Sequence, residues 1–221
     1  MKIKVLLFAA ALPLNLFGQL TDFHGVLNEL ANSRQFSSLL HKNGAEIDPN
    51  EFTGNPYLHN FFLPAEISGK NGLFMMRYNI FNDEIILQNG EKEFYKLPKS
   101  PEFSLITFKN NDKISLINDN YYIIVSGDQQ KGIIKKLGVK FSPAKPSVDG
   151  YQPDIKARFT DTKPEYFYTS NNGVTPLTKN LEELINLFPE KKDKIKAFLK
   201  KKNLKTDLDY QNLYNEINLG Q

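Results

Sequence analysis

The chain has 221 residues, 28 of them Lys or Arg and 25 Asp or Glu, for a formal charge of +3, and it contains neither Cys nor Trp. The missing thiols exclude disulfides, thiolate metal ligands, Cys nucleophiles and a lipid carried on a Cys. Only Arg34, Arg77 and Arg158 among the basic residues are Arg, and bidentate reading of base edges and phosphates relies on Arg, so no nucleic acid is expected as a partner.

Lys2 and Lys4 precede an apolar run from Val5 to Phe17, followed by Gly18. That order describes a secretory signal peptide over residues 1–18. The run is interrupted by Pro13 and Asn15 and is shorter than the roughly 20 residues a membrane-spanning helix requires, so no transmembrane segment is expected in the mature chain. Cleavage is expected after Gly18, although Leu16 is larger than the residue usual at the third position before the cut. Loss of Lys2 and Lys4 leaves 26 of the 28 basic residues against 25 acidic ones, a mature charge near +1. An exported chain without disulfides depends on its core. The 17 Phe and 10 Tyr supply one, in a length that buries roughly 70% of the unfolded surface.

From Leu20 to Lys42 apolar residues recur three and four apart (Phe23, Val26, Leu27, Leu30, then Phe36, Leu39, Leu40), which predicts a helical segment over residues 19–48. A loop rich in Gly and Pro follows. Residues 49–177 are expected to form an antiparallel β domain. Its runs "LFMMRYNI", "EIILQ", "EFYKL", "FSLITF", "KISLI", "YYIIV" and "GIIKKLGVKF" are separated by short turn sequences, and loops this short join antiparallel neighbours. After a Pro-rich interruption, "IKARF", "EYFYTS" and "VTPL" resume the sheet. Residues 178–221 return to a helical period: Leu181, Leu184, Ile185 and Phe188; then Ile195, Phe198 and Leu199; then Tyr210, Leu213, Tyr214 and Ile217. Pro189 separates the first two helices. Thr206 and Asp209 imitate a capping box with Asp in place of the favoured Glu or Gln.

Asp83 and Glu84 stand side by side within "RYNIFNDEIILQNGEK". With Asn82-Asp83 as a two-residue hairpin loop, Ile80 faces Ile85 and Tyr78 faces Leu87. Met76, Tyr78, Ile85 and Leu87 then share a face. Asp83 becomes a turn residue suited to positive φ and Glu84 starts the outgoing strand. Neighbours on a strand point to opposite sides, so the two carboxylates are not expected to converge as an acid–base pair. His24, His41 and His59 are too far apart in sequence for a zinc motif. Ser126 and Asp128 lack the nucleophile elbow, and "SGKNG" at 68–72 is not a phosphate-binding loop. The Asn- and Asp-rich turns lack the twelve-residue calcium loop, and Asp207 with Asp209 fares no better. No catalytic, cofactor-binding or metal residue is assigned. "PEKKDKIKAFLKKKNLK", residues 189–205, carries eight Lys against Glu190 and Asp193. Contact with an anionic surface through Lys191, Lys192, Lys194, Lys200, Lys201 and Lys202 is weighed against a solvated face over a packed stripe, and the stripe is favoured.

"GNPYL", "PAEI", "RYNIFNDEI", "KKLGVKFSPAKP" and the tail "LEELINLFPEKKDKIKAFLKKKNLK" together resemble a group of uncharacterised exported proteins of Bacteroidota, especially flavobacteria. The resemblance covers most of the mature chain and implies export to the periplasm or beyond, with no activity, cofactor or site. The expected fold is α+β: an antiparallel β-meander, as a sandwich or partial barrel, with an N-terminal helix and a C-terminal bundle of short helices. The expected function is a non-catalytic binding or assembly protein of the cell envelope, without enzymatic activity. The alternatives are a carrier of a small hydrophobic ligand in a curved sheet and a hydrolase using Asp83, Glu84 or Asp128.

Overall fold

The computed structural model describes residues 41–42, 45–46, 52–90, 93–146, 154–171 and 173–218. It opens with a small hairpin of β1 (His41–Lys42) and β2 (Ala45–Glu46). Their register leaves the dipeptide Asn43-Gly44 between them, the pair favoured in tight hairpins. The predicted helical segment therefore does not run through Lys42. The rest of the N-terminal helix and the signal peptide lie outside the described residues.

The short strand β3 (Phe52–Thr53) precedes β4 (Leu63–Ile67), β5 (Phe74–Asn79), β6 (Glu84–Asn89) and β7 (Glu93–Lys96). A crossing segment with a 3-10 turn at Pro101–Phe103 leads to β8 (Leu105–Phe108), β9 (Lys113–Ile117), β10 (Asn120–Gly127) and β11 (Gly132–Lys136). Next come β12 (Val139–Ser142) and β13 (Ala157–Asp161), then β14 (Glu165–Ser170) and β15 (Gly173–Pro176). Ten strands form one antiparallel sheet in the order β15-β14-β11-β10-β9-β8-β4-β5-β6-β7, and β12-β13-β3 form a second sheet. The meander breaks twice: the chain leaves β7 and returns to the free side of β4, and it leaves β11 for β12 and β13 of the second sheet before returning beside β11 as β14.

Alternation fixes which face is buried. On β5, Phe74, Met76 and Tyr78 are buried whereas Met75 is exposed. In a flat sheet the four strand-to-strand steps from β5 to β10 would span about 19 Å, yet the Tyr78 and Tyr121 rings meet edge to face at 5.9 Å. The sheet must therefore curl into a partial barrel. Its interior is filled by side chains including Phe74, Met76, Tyr78, Phe108 and Tyr121, with Leu97 and Phe103 added by the β7–β8 crossing. The space that a hydrophobic ligand would take in the carrier reading is occupied by this core.

Beyond β10 the same face is covered by three helices, α1 (Leu181–Leu187), α2 (Lys192–Lys201) and α3 (Asp207–Asn218). They bury Leu184, Ile195, Phe198, Tyr210, Leu213 and Ile217 against Val125, Ile133 and Tyr166. Asn180 caps α1, its side chain accepting from the Glu182 N–H, and Pro189 opens a 3-10 turn between α1 and α2. At the start of α3, Thr206 Oγ1 accepts from the Asp209 N–H at 3.3 Å and Asp209 Oδ2 accepts from the Thr206 N–H at 2.9 Å. The capping box thus forms with Asp in the Glu position. Thr206→Ala is expected to cost about 1 kcal/mol, read as a shift of the urea midpoint at unchanged slope.

The α+β expectation is corrected on these grounds. The described fold is mostly β, a ten-stranded antiparallel sheet with a small second sheet and three helices at its C-terminal end, and its N-terminal helix is not among the described elements. No described helix is long and apolar enough to cross a membrane.

Candidate functional site

The β5–β6 connection holds Asp83 at φ +54°, as a turn residue should be, but its loop is longer than predicted. Tyr78 pairs with Ile85 and Asn79 with Glu84, which leaves four residues, Ile80 to Asp83, in the turn. Two contacts pull them out of the ladder. The Asn79 side chain accepts from the Asn82 N–H at 3.1 Å, and the Pro56 carbonyl accepts from the N–H groups of Ile80 and Phe81 at 2.9 and 3.3 Å. Because the register moved by two residues, Met76, Tyr78, Ile85 and Leu87 still share the buried face.

Asp83 is the centre of a half-buried charge cluster assembled by the curl. Its Oδ1 accepts from Lys136 Nζ at 2.6 Å and from the Tyr78 hydroxyl at 2.7 Å, and its Oδ2 accepts from Lys99 Nζ at 2.8 Å. Lys99 also donates to the Asp119 carbonyl at 2.7 Å, and Lys136 to the Tyr121 carbonyl at 3.0 Å. Burial opposes the Asp83 charge, but hydrogen bonds from Lys136, Lys99 and Tyr78 outweigh it, so its carboxyl sits below the usual range. Burial lowers the Lys136 ammonium despite Asp83 beside it. Amines and carboxylate are spent on one another and on the carbonyls of Asp119, in the β9–β10 turn, and Tyr121, on β10. The cluster ties together the β5–β6 turn, the segment after β7 and the end of β11.

The Tyr78 and Tyr121 hydroxyls are pushed well above the ordinary tyrosine range, first by burial and then by the Asp83 charge. Unfolded tyrosine titrates near 10. As pH rises past that value the unfolded chain releases protons that the folded chain retains, so stability falls with pH. Tyrosinate absorbance is expected to appear together with loss of near-ultraviolet dichroism, whereas early ionisation of the intact fold would contradict the buried placement.

The three acids of the hydrolase reading are not brought together. Glu84 pairs with Lys96 and shares none of the Asp83 hydrogen bonds. Asp128 closes the β10–β11 hairpin by accepting from the N–H groups of Gln130 and Lys131 at 2.7 and 2.8 Å. Ser126 lies on the β10 strand of that hairpin. His59 lies 3.1 Å from Asp112 and stacks edge-on to Phe108; the His24 residue and the His41 side chain lie outside the described residues. In the turns once weighed for calcium, Asn110 and Asp112 bond to one another and to the local backbone, and Asp209 serves the α3 cap. Asp207 binds Lys135 at 2.5 Å and the Tyr166 hydroxyl at 2.7 Å.

Sequence reasoning missed a second feature, Arg77. On the outer face of β5, its guanidinium lies 3.6 Å from the centre of the Tyr57 ring and 4.5 Å from that of Phe62. Phe62 in turn stacks on Phe94 at 5.5 Å. The same face exposes Met75 by 40% and, just before β5, Leu73 by 45%. The sequence signal was an Arg between Met76 and Tyr78, on a strand otherwise reading as core. Cavities open elsewhere among the described residues. One of about 470 Å³ adjoins the "SGKNG" loop and includes Glu66, Lys70 and Lys109. Another of about 400 Å³ lies between the two sheets, with Leu58, Ile80, Leu137 and Asp161 in its wall. No family model, curated protein or solved structure matches this chain.

Proposed function

We propose that the chain is an exported, non-catalytic binding or assembly protein of the cell envelope, acting through the outer face of β4 to β7. Export rests on the N-terminal pattern of Lys2, Lys4 and the apolar run to Phe17, and on the resemblance of several segments to exported proteins of Bacteroidota. The observation that carries the binding reading is the exposure of Met75 and Leu73 on the face where Arg77 packs on the Tyr57 and Phe62 rings. A strand face turned away from the core ordinarily carries polar residues, and contiguous apolar exposure marks a recognition surface. The mature protein is expected to capture one specific partner from envelope extracts, and Met75→Asp to lose it. Recovery of nothing, or equal recovery by both, overturns the reading.

A further contact with anionic surfaces through the Lys-rich helix draws support from how α2 spends its apolar side. Ile195 and Phe198 are buried in the core, while Lys192, Lys200, Lys201 and Lys202 are exposed. Together with Lys191 and Lys194 they offer charge without an insertable apolar face. Association with anionic vesicles, absent with zwitterionic ones, should vanish as salt shortens the screening length from about 10 Å at 0.1 M toward 3 Å at 1 M. Salt-independent association would refute this contact.

A further inference from the structure

We infer that Arg77 anchors a site for a carboxylate carried on an apolar segment of a partner protein. This rests on the binding reading above and names the chemistry of the partner.

Among the described residues, no carboxylate pairs with Arg77. Its contacts are the Tyr57 and Phe62 rings and one long hydrogen bond, 3.4 Å, from an Nη to the Asn60 carbonyl. Its Nε is buried with no acceptor. A guanidinium offers five N–H donors, so most of them are unspent. Burial also pulls its pKa below the usual arginine value, yet arginine stays charged in proteins. Half-buried charges are ordinarily paired. Among the described residues this one has no counter-ion.

The rings also decide what can approach. They stand over the guanidinium at 3.6 and 4.5 Å, which leaves its edge, in the plane of the fork, for a ligand. That geometry suits a carboxylate bound through two parallel hydrogen bonds, and rings that fix the side chain in advance reduce the ordering cost of binding. Around the fork lie the Phe62–Phe94 stack and exposed Met75 and Leu73, which match apolar flanks on the ligand. Arg77 lines neither cavity described above. It stands on an open sheet face, the form that receives a protein segment rather than an enclosed small acid.

The chain has three Arg, so the side-chain Nε–H region of a nitrogen–proton correlation spectrum carries few signals, and Arg77→Met identifies that of Arg77. The probe is the dipeptide N-acetyl-Leu-Phe with a free terminal carboxylate, compared with its terminal amide and with inorganic phosphate. The acid is expected to shift the Arg77 signal saturably, and the amide to bind roughly ten- to a hundredfold more weakly, as loss of a charge-assisted pair implies. Arg77→Lys, which keeps the charge and most of the stem, should lose at least about tenfold through loss of the fork. Thermal unfolding of each variant separates lost binding from lost fold.

Equal binding of acid and amide overturns the proposal. So does a phosphate shift as large as that of the acid, or unchanged acid binding by a folded Arg77→Lys or Arg77→Met. A partner captured from envelope extract by Arg77→Met but not by Met75→Asp would remove the Arg77 anchor and leave the binding reading standing. Capture of nothing by the wild-type chain would remove that reading, while the comparison of acid with amide still decides the anchor.

Discussion

Asp83→Asn is expected to lower the unfolding free energy by about 3 kcal/mol, near the lower end for breaking a buried ion pair, because the Asp83 side chain remains 19% exposed. The substitution keeps a residue that tolerates the positive φ at this turn but leaves the Lys99 and Lys136 ammoniums facing each other without a counter-charge. Asp83→Ala should cost roughly 1 kcal/mol more, since Ala adds the left-handed backbone penalty. The pH dependence separates charge from packing. The folded carboxyl lies below the usual range, whereas the unfolded one titrates near 3.9. The unfolded chain therefore takes up the proton first. The Asp83 contribution is fully present above about pH 4 and is lost as the pH falls through the folded value. The gap in urea midpoint between wild type and Asp83→Asn should narrow under acid. A gap that does not change with pH would mean that the carboxylate is not the linchpin described.

Tyr210→Ala is expected to cost about 4 kcal/mol, in the range for deleting a large buried ring. Tyr210 is 2% exposed and stacks on Tyr166 with ring centres 3.6 Å apart. The Tyr166 hydroxyl donates to Asp207 one turn earlier on α3, which also binds Lys135. The ring thus joins helix to sheet at the point where α3 docks. Limited proteolysis should cut the variant first within residues 178–218, with the β5–β6 region protected. Simultaneous loss of both regions would show that sheet and helices unfold as a unit. A change below about 1 kcal/mol would contradict the packing itself.

Much of this architecture was legible as alternation. Phe74, Met76 and Tyr78 announced a buried face and Leu181 to Ile217 a helical one, because both patterns are local consequences of backbone geometry. Strand β4 was not legible. Pro64 argues against a central strand, and only the register explains it. β8 pairs with β4 from Ala65 onward, so Pro64 stands past the end of that ladder. "GIIKKLGVKF" read as one run but breaks at Gly138, where an added Cβ would stand 2.5 Å from Thr162 Oγ1, a neighbour that the local sequence does not name. The Asp83 cluster was hidden for the same reason. Its partners lie 16 and 53 residues away, and only the curl brings them within reach. Arg77 carried no expectation beyond being one of three Arg, since nothing local reveals that Tyr57 and Phe62 flank it.

The parallel pairing of β3 with β13 joins Phe52 to Ala157 and Thr53 to Arg158, so a segment near the start of the described fold waits for one made long after it. Such pairings require closure of a large loop before any contact repays it, which slows folding. A chain emerging from its N-terminus through a translocation pore would hold β3 unmatched until two-thirds of its length had crossed. Under the export proposed above, completion of the small sheet would be an event of the far side, and a chaperone that shields the chain would act before it.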